Sequence, residues 1–451
     1  MTNVIMPIFN DQELSDFVSK LEKSNVHTLI GTYIDNAGIA RAKQVPIERT
    51  SAIHRSGLGA SYSWAVFSID DVLAITPSFS VVGDMRMRAD LSAARILGDG
   101  VAWAPFDIFD QEGNSLDHCP RARLRSQYQR LVAADFDARC AYEIEFTWFD
   151  EKTGDVGGGP AYGLRAMMDN EEFFADIASG LRIAGIELEQ LHAEAGLGQI
   201  ELSTPPLNPV EAADVLVVTR LILSRVARRH GKKLSFAPQS LNDGLGNGAH
   251  VHCSLTQRGA PIFSGGAYER GLTQEGASAI GGLLRWLPES LGVLAPSLLS
   301  SVRLLPGKWS GAWVCWGVEN REAAVRLCQA TPGNPHGANV EIKVTDHTAN
   351  PYAALATILG FIERGIDEKI ALPVEAPVNP NVFEGTADQI SSFSTDQAEN
   401  LLATCTSDIV RSILGDSMIE AIGAVRGREV ILSAQSSREE LIEMYRYTWS
   451  S

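Results

Sequence analysis

Apolar and polar side chains alternate along Arg139–Trp148, which reads Arg-Cys-Ala-Tyr-Glu-Ile-Glu-Phe-Thr-Trp. A period of two marks a strand with one dry and one wet face. Tyr142, Ile144, Phe146 and Trp148 therefore share one face, and Glu143 and Glu145 the other. Three more segments alternate at their cores. Gln199–Leu202 sets Glu201 opposite Ile200 and Leu202; His250–Leu255 puts His250, His252 and Ser254 on one side; Asn339–Val344 does the same for Asn339, Glu341 and Lys343. Between these strands the period becomes helical. Asp11 is positioned to cap a helix whose stripe is Leu14, Phe17, Val18 and Leu21. Asn208-Pro209-Val210-Glu211 supplies an N-cap, a first-turn proline and an acid, and predicts a helix to about His230 that Gly231 ends. That helix is apolar nearly all round, which predicts burial. Ser394-x-x-Gln397 and Ser437-x-x-Glu440 read as capping boxes, and Asn36-Ala37-Gly38 as a hairpin turn between two short strands.

The polar, turn-rich stretch Asp107–Pro120 predicts a boundary between a β-rich unit over 1–115 and a larger unit over 116–451 that alternates helices with two-faced strands. A hydrophobic fraction of 45% and a charged fraction of 21% are ordinary for a globular protein. The net charge of -17 argues against nucleic acid and anionic membranes as partners. No apolar run approaches the ~18 residues of a membrane span. Six cysteines without a CxxC pair read as reduced thiols of a cytoplasmic protein, and the first residues show no signal-peptide pattern.

The content of the wet faces is unusual. Two carboxylates side by side on a half-buried strand repel unless a cation sits between them. Glu143 and Glu145 are joined by Glu201, His250 and Glu341, and by Glu194 from the turn Glu194–Gly198. Each segment alone is an ordinary solvated strand face; together they predict a metal site. Carboxylates with one imidazole suit Mg²⁺ or Mn²⁺ better than zinc. Such ions serve substrate phosphates, and a two-metal site points to phosphoryl transfer.

Several stretches, in their order and spacing, resemble the glutamine synthetase superfamily over nearly the whole chain. They are Glu143–Phe146, Glu189–Glu194 with Gly198–Glu201, Gly246–Ser254, Arg303–Gly307, Asn320-Arg321 with Arg326, and Glu341 with Asn350-Pro351-Tyr352. The resemblance implies an α+β fold: a small β-grasp-like N-terminal domain, then a catalytic domain on a curved antiparallel sheet with helices. It implies a ring-shaped homo-oligomer with active sites between subunits. It also implies ATP and Mg²⁺ (or Mn²⁺), with one metal on Glu145, Glu194 and Glu201 and a second on Glu143, His250 and Glu341. Glu189, His252 and Ser254 would lie near ATP. Arg303 would hold the α-carboxylate of L-glutamate, Gly248 would belong to the glutamate-binding loop, and Arg321 and Arg326 would face the transferring phosphate. His192 reads as structural.

The pattern departs from ammonia-using members at the amine end. Their flap acid is replaced by Trp309 in Pro306-Gly307-Lys308-Trp309-Ser310, and their Asp-Gly-Ser-Ser element by Gly59–Trp64, which has no acid. Lys343 and Asn339 replace usual arginines, and Leu372–Asn400 holds no tyrosine for adenylylation. Loss of both acids removes an ammonium site, and a tryptophan adds an apolar wall. Trp64, Trp313 and Trp316 are either further walls or core. An alkylamine with a pKa near 10.4 is neutral in only roughly one molecule per thousand at pH 7, so it needs a base that an arylamine does not. Asp70 and Asp71 are the remaining candidates for that base. The expected activity is an ATP-dependent ligase joining the γ-carboxylate of glutamate to an organic amine, arylamine or alkylamine. A γ-glutamylpolyamine synthetase, a true glutamine synthetase and a catalytically inactive homologue are the alternatives.

Overall fold

The computed structural model describes residues 6–383 and 390–450. The opening residues of the N-terminal signal reading and residues 384–389 of the tyrosine-free stretch lie outside them. Two sheets organise the chain. The first contains β1 (Thr28–Ile34), β2 (Ala40–Pro46), β3 (Leu58–Ser61), β4 (Asp84–Ala89), β5 (Arg95–Gly98) and β6 (Val101–Phe109). Its order is β2-β1-β6-β4-β3, with β5 also on β6; β1 and β6 run parallel and the other pairs antiparallel. The turn at Asn36–Gly38 joins β1 to β2, as its residues predict. The apolar face buries Leu29, Met85, Met87, Ala102, Ala104 and Ile108 against Leu14 and Leu21 of helix Asp11–Lys23 and Ile53 of helix Thr50–Arg55. This is the mixed, helix-clasping sheet expected of a β-grasp-like domain.

The second sheet contains β7 (Phe136–Asp150), β8 (Gln190–Ala193), β9 (Gln199–Ser203), β10 (Lys232–Ser235), β11 (Ala249–Gln257), β12 (Ala260–Pro261), β13 (Trp313–Val318), β14 (Ala323–Cys328) and β15 (Asn339–Ile342). Its order is β13-β14-β15-β11-β7-β9-β8, with β10 on β7 and β12 on β11. All pairs are antiparallel except β13–β14. The 15-residue β7 is its spine, and its alternation decides which face is dry. Phe136, Ala138, Cys140, Tyr142, Ile144 and Phe146 are all buried against helices. The backing helix Pro209–Arg229 starts as predicted, with the Asn208 side chain accepting from the Glu211 amide and Pro209 in the first turn. Helix Pro351–Asp367 is capped by Asn350, whose side-chain amide also donates to the Ile34 carbonyl and so ties this helix to β1. It crosses helix Gln274–Trp286 closely: a Cβ on Gly282 would lie 2.6 Å from the Gly365 Cα.

Two caps differ from expectation. Asn10, not Asp11, caps the first helix: its side chain accepts from the Glu13 amide while the Glu13 carboxylate takes the Asn10 amide. That reciprocal pair sets the phase, and Asp11 becomes the first helical residue. The helix Gln397–Thr406 is capped by Asp396, which accepts from the Ala398 and Glu399 amides. Ser394 lies two residues too early and accepts from the Asp396 amide instead. The Ser437–Glu440 box forms as predicted.

The first sheet meets the helices that back the second on a buried ion cluster. Arg121 donates to Asp90 (2.8 Å) and Asp107 (3.2 Å) of the first unit and to Asp214 (2.8 Å) of helix Pro209–Arg229, while Tyr352 donates to Asp214 at 2.8 Å. Removing one partner of a buried ion pair strands the other charges. Arg121→Met should therefore destabilise the protein by roughly 3–5 kcal/mol. Urea unfolding checks this, and a loss below about 1 kcal/mol would show that the junction does not depend on it.

Candidate active site

Strand register brings the polar face of the second sheet to one place. His250 of β11 stands directly opposite Glu143 of β7, and His252 opposite Glu341 of β15. Glu145 stands opposite Glu201 of β9, which stands opposite His192 of β8. Arg326 of β14 stands opposite Glu341. Sequence-distant strands thus set two histidines and four glutamates on adjoining rungs of one face, with His192 and Glu194 at the edge.

The contacts follow. His250 Nδ1 lies 3.4 Å from Glu143, 3.5 Å from Glu341 and 4.0 Å from Glu145. His252 Nε2 lies 3.3 Å from Glu143, and its Nδ1 is 2.8 Å from Asn339 Oδ1. His192 Nε2 lies 3.3 Å from Glu201. Lys343 Nζ donates to Glu341 at 2.9 Å and Arg326 Nη1 to the other oxygen of Glu341 at 3.1 Å. The Gly248 amide donates to Glu145, and a Cβ on Gly248 would lie 2.3 Å from His250 Nε2, so only glycine fits that loop.

Three triads have ligand atoms all within 4.8 Å of one another: Glu143–Glu201–His250, Glu143–His252–Glu341 and His192–Glu194–Glu201. The expected partners Glu143, His250 and Glu341 meet around His250, and Glu194 meets Glu201. His192, read from sequence as structural, stands with them; His252 stands with Glu143 and Glu341. The protonation pattern suits a cation. Burial and the neighbouring Glu201 push the Glu145 carboxyl up to about 8, and burial also raises Glu201 despite His192 beside it. Burial, with Lys343 nearby, lowers His250 to about 4 and leaves it neutral. Burial opposes ionisation of Glu341, but Lys343 and the two histidines hold it down at about 2. Buried carboxyls, two of them reluctant to ionise, beside a neutral imidazole are a donor set that divalent cations fit.

Two cavities meet at this face. One is lined by Glu143, Glu145, Glu194, Glu201, His250 and Lys343, and by Arg303, Lys308, Trp309 and Arg321. The second, of about 810 Å³, is lined by Glu189, His252, Ser254, Asn339 and, again, Glu143. Glu143 is the shared wall. Arg303 is buried, donates through Nη2 to the Lys343, Val344 and Thr345 carbonyls, and sets its Nε 3.9 Å from the Asp346 carboxylate. Arg326 lines neither cavity; it is held between Glu341 and Glu319.

Of the four tryptophans, only Trp309 lines the first cavity, and it is 52% exposed. Trp313 and Trp316 are core, Trp316 donating to the Pro373 carbonyl at 2.8 Å. Trp64 packs on the first sheet with Lys43 over its ring. Asp70 and Asp71 lie outside both cavities. Burial opposes ionisation of Asp70, but the Arg428 guanidinium and the Ser68 hydroxyl hold it at about 2, too low for a base near neutral pH. Asp71 pairs with Arg41 at 2.8 Å. Sequence reasoning missed Tyr162, which lines the first cavity with φ 56° and lies beside Glu194. Its setting in Gly157–Gly163 signals a loop and no more.

A polar sheet face bearing carboxylates and imidazoles between two cavities, one walled by arginine and lysine, fits an enzyme of metal-assisted phosphoryl transfer. A family profile described as "Glutamine synthetase, catalytic domain" matches residues 117–447. The chain is 36% identical over 427 residues to "Gamma-glutamylpolyamine synthetase GlnA3" of Streptomyces coelicolor, covering 90% of each. It is 29% identical over 407 residues to "Glutamine synthetase" of Pyrococcus horikoshii, covering 87% of each. A solved structure described as a "novel glutamine synthase homolog" superposes with a TM-score of 0.85 at 26% identity, covering 94% of this chain and 99% of that one. This chain belongs to the glutamine synthetase family. Enzymes of that family use ATP and a divalent metal.

One pH dependence follows. The Glu145 carboxyl sits at about 8 in the cation-free fold against an ordinary 4.5. Folding then takes up a proton between those values, so this group's contribution to stability falls as pH rises from about 5 to about 8. A cation displaces that proton, so its stabilisation grows across the same window. Melting EDTA-treated protein with and without Mg²⁺ at about pH 5.5 and about pH 8 checks this. A melting-temperature gain that does not grow with pH counts against a cation at Glu145.

Proposed function

We propose that this protein is an ATP-dependent ligase that joins the γ-carboxylate of L-glutamate to an organic amine through γ-glutamyl phosphate, releasing ADP and phosphate. The observation that carries this reading is the shared wall at Glu143: two cavities, one of them walled by arginine and lysine, open onto the same carboxylate–imidazole cluster. In this reading Glu189, His252 and Ser254 hold the nucleotide. Arg303 offers its guanidinium to the α-carboxylate of glutamate, beside the loop of Gly248. Mg²⁺ or Mn²⁺, held by Glu145, Glu194 and Glu201 and by Glu143, His250 and Glu341, supplies charge neutralisation to the phosphoryl group. Arg321 and Lys343 would add positive charge along the cavity, and Arg326, with Lys343, steadies Glu341.

At the amine end, Trp309 stands where ammonia-using relatives carry an acid. With Tyr162 it forms aromatic sides of the same cavity. Trp309 would cover the amine and keep water from the acyl phosphate. Lys308 lines the cavity beside it, so a second ammonium on the amine meets like charge. That supports a monoamine, aryl or alkyl. The likeness to the Streptomyces coelicolor protein favours a second reading, a polyamine as the amine. The ring assembly belongs to the proposal as well: no lining residue of either cavity comes from the first unit, and a neighbouring subunit would bring Gly59–Trp64 to the amine end.

Phosphate release with glutamate, ATP and Mg²⁺ over a panel of ammonia, alkylamines, ethanolamine, polyamines and anilines should favour organic amines. Fast turnover with ammonia alone would make the protein a true glutamine synthetase; preference for putrescine or spermidine would select the polyamine reading. Absence of ADP release with every amine would point to an inactive homologue. Glu341→Ala should lower turnover on the order of 10²-fold or more, as loss of electrostatic preorganisation does. Trp309→Glu should raise ammonia use relative to the preferred amine, and an unchanged amine profile would remove Trp309 from the pocket.

A further inference from the structure

Trp309 is a bulky residue in the left-handed backbone region, at φ 54°, between Gly307 at φ 76° and Gly311 at φ 74°. A non-glycine residue in that region is strained unless its surroundings hold it there. One side chain does so. Glu322 accepts the Gly307 amide through Oε2 at 3.2 Å and the Trp309 amide through Oε1 at 3.2 Å. Two loop amides thus converge on one carboxylate, an anion held in a backbone concavity. Glu322 is 4% exposed and lines neither cavity, so it is a structural anion and not a substrate ligand.

The anchor is itself anchored. Asn320 Oδ1 accepts the Glu322 amide at 3.1 Å, and Asn320 Nδ2 donates to the Ala376 and Val378 carbonyls at 2.9 and 3.1 Å. Glu322 also follows directly on Arg321, a cavity wall. One turn therefore presents a cation to the cavity and, one residue on, grips the loop that closes it.

We propose that Glu322 is a positioning residue that pins the 307–310 loop so that Trp309 stays at the cavity mouth. The proposal rests on the ligase reading for its catalytic consequence, though not for its structural one. With the pin in place, the acyl phosphate meets the amine and not water. Without it, the loop leaves its strained conformation and Trp309 swings away. Attack by water then returns glutamate and phosphate in place of the amide, with the acyl–oxygen bond broken and water's oxygen retained in the carboxylate.

Glu322→Gln keeps the volume but leaves one acceptor oxygen for two amides; Glu322→Ala removes both. Both variants should raise the amine KM about tenfold or more, as loss of a charge-assisted hydrogen bond implies, while the glutamate KM stays near wild type. ADP released per amide formed should rise above one, more in Ala than in Gln. A second readout needs no turnover: the emission and acrylamide quenching of Trp309, taken as the difference between each protein and its Trp309→Phe counterpart. Greater quenching of Trp309 in Glu322→Gln supports the pin even if every amine fails as substrate, which would sink only the ligase reading. Unchanged quenching in Glu322→Gln overturns the pin. An unchanged amine KM with one ADP per amide overturns its catalytic role. If Glu322→Ala does not fold, Glu322→Gln carries both tests.

Discussion

Glu145 and Glu201 face each other across neighbouring strands with little water between them, and Glu143, Glu194 and Glu341 crowd the same face. Like charges at that spacing in a poorly solvated site repel by several kcal/mol unless protonated or paired. The surrounding architecture can be read as the means of holding them there. β7 gives its other face to a continuous apolar core, so the energy that keeps Glu143 and Glu145 in register comes from Tyr142, Ile144 and Phe146 pressed on helices. The crowding on the polar side makes the site receptive: Glu145 and Glu201 hold their protons more tightly than ordinary carboxyls do, and a cation would take the place of those protons.

Positive charge arrives from separate parts of the chain. Lys343 and Arg326 compensate Glu341 from within or beside the sheet, while Arg303 comes from the end of a short helix and Lys308 and Arg321 from loops that line the same cavity. The division separates two tasks. Charges within the sheet hold the cluster together, and charges across the cavity remain for a phosphate or carboxylate to meet. Arg303 is itself steadied from behind, with its Nε 3.9 Å from the buried Asp346 carboxylate. The first unit is joined to the second by the Arg121 junction, by Asn350 and by further pairs such as Arg428–Asp70 and Arg95–Glu211. In a single chain its acid-free Gly59–Trp64 segment lines neither cavity.

Substrate choice is decoupled from this machinery. The clustered carboxylates and imidazoles sit on strands or just beside them, held by register and core. The residues at the amine end, Tyr162, Lys308 and Trp309, sit on loops with positive-φ backbone. A rigid sheet for chemistry and adjustable loops for the amine let members of one family share the first half of a reaction and differ in the second.

How much of this was written in the chain differs by level. Period-two patterning by itself set the wet and dry faces of β7, β9, β11 and β15, and the Asn208-Pro209 start set the long backing helix, because both depend on near neighbours alone. It likewise marked Glu143, Glu145, Glu201, His250 and Glu341 as unusual. It could not place helix starts where two capping residues competed, as at Asn10 against Asp11 and Asp396 against Ser394. Nor could it say that His192 joins the carboxylates, that Trp313 and Trp316 are core while Trp309 is not, that Arg428 holds Asp70, or that Glu322 grips the Trp309 loop. Each of those depends on contacts between residues far apart in the chain, through strand order, packing and loop closure. Alternation tells a side chain which face it is on; only the tertiary structure tells it what it meets there.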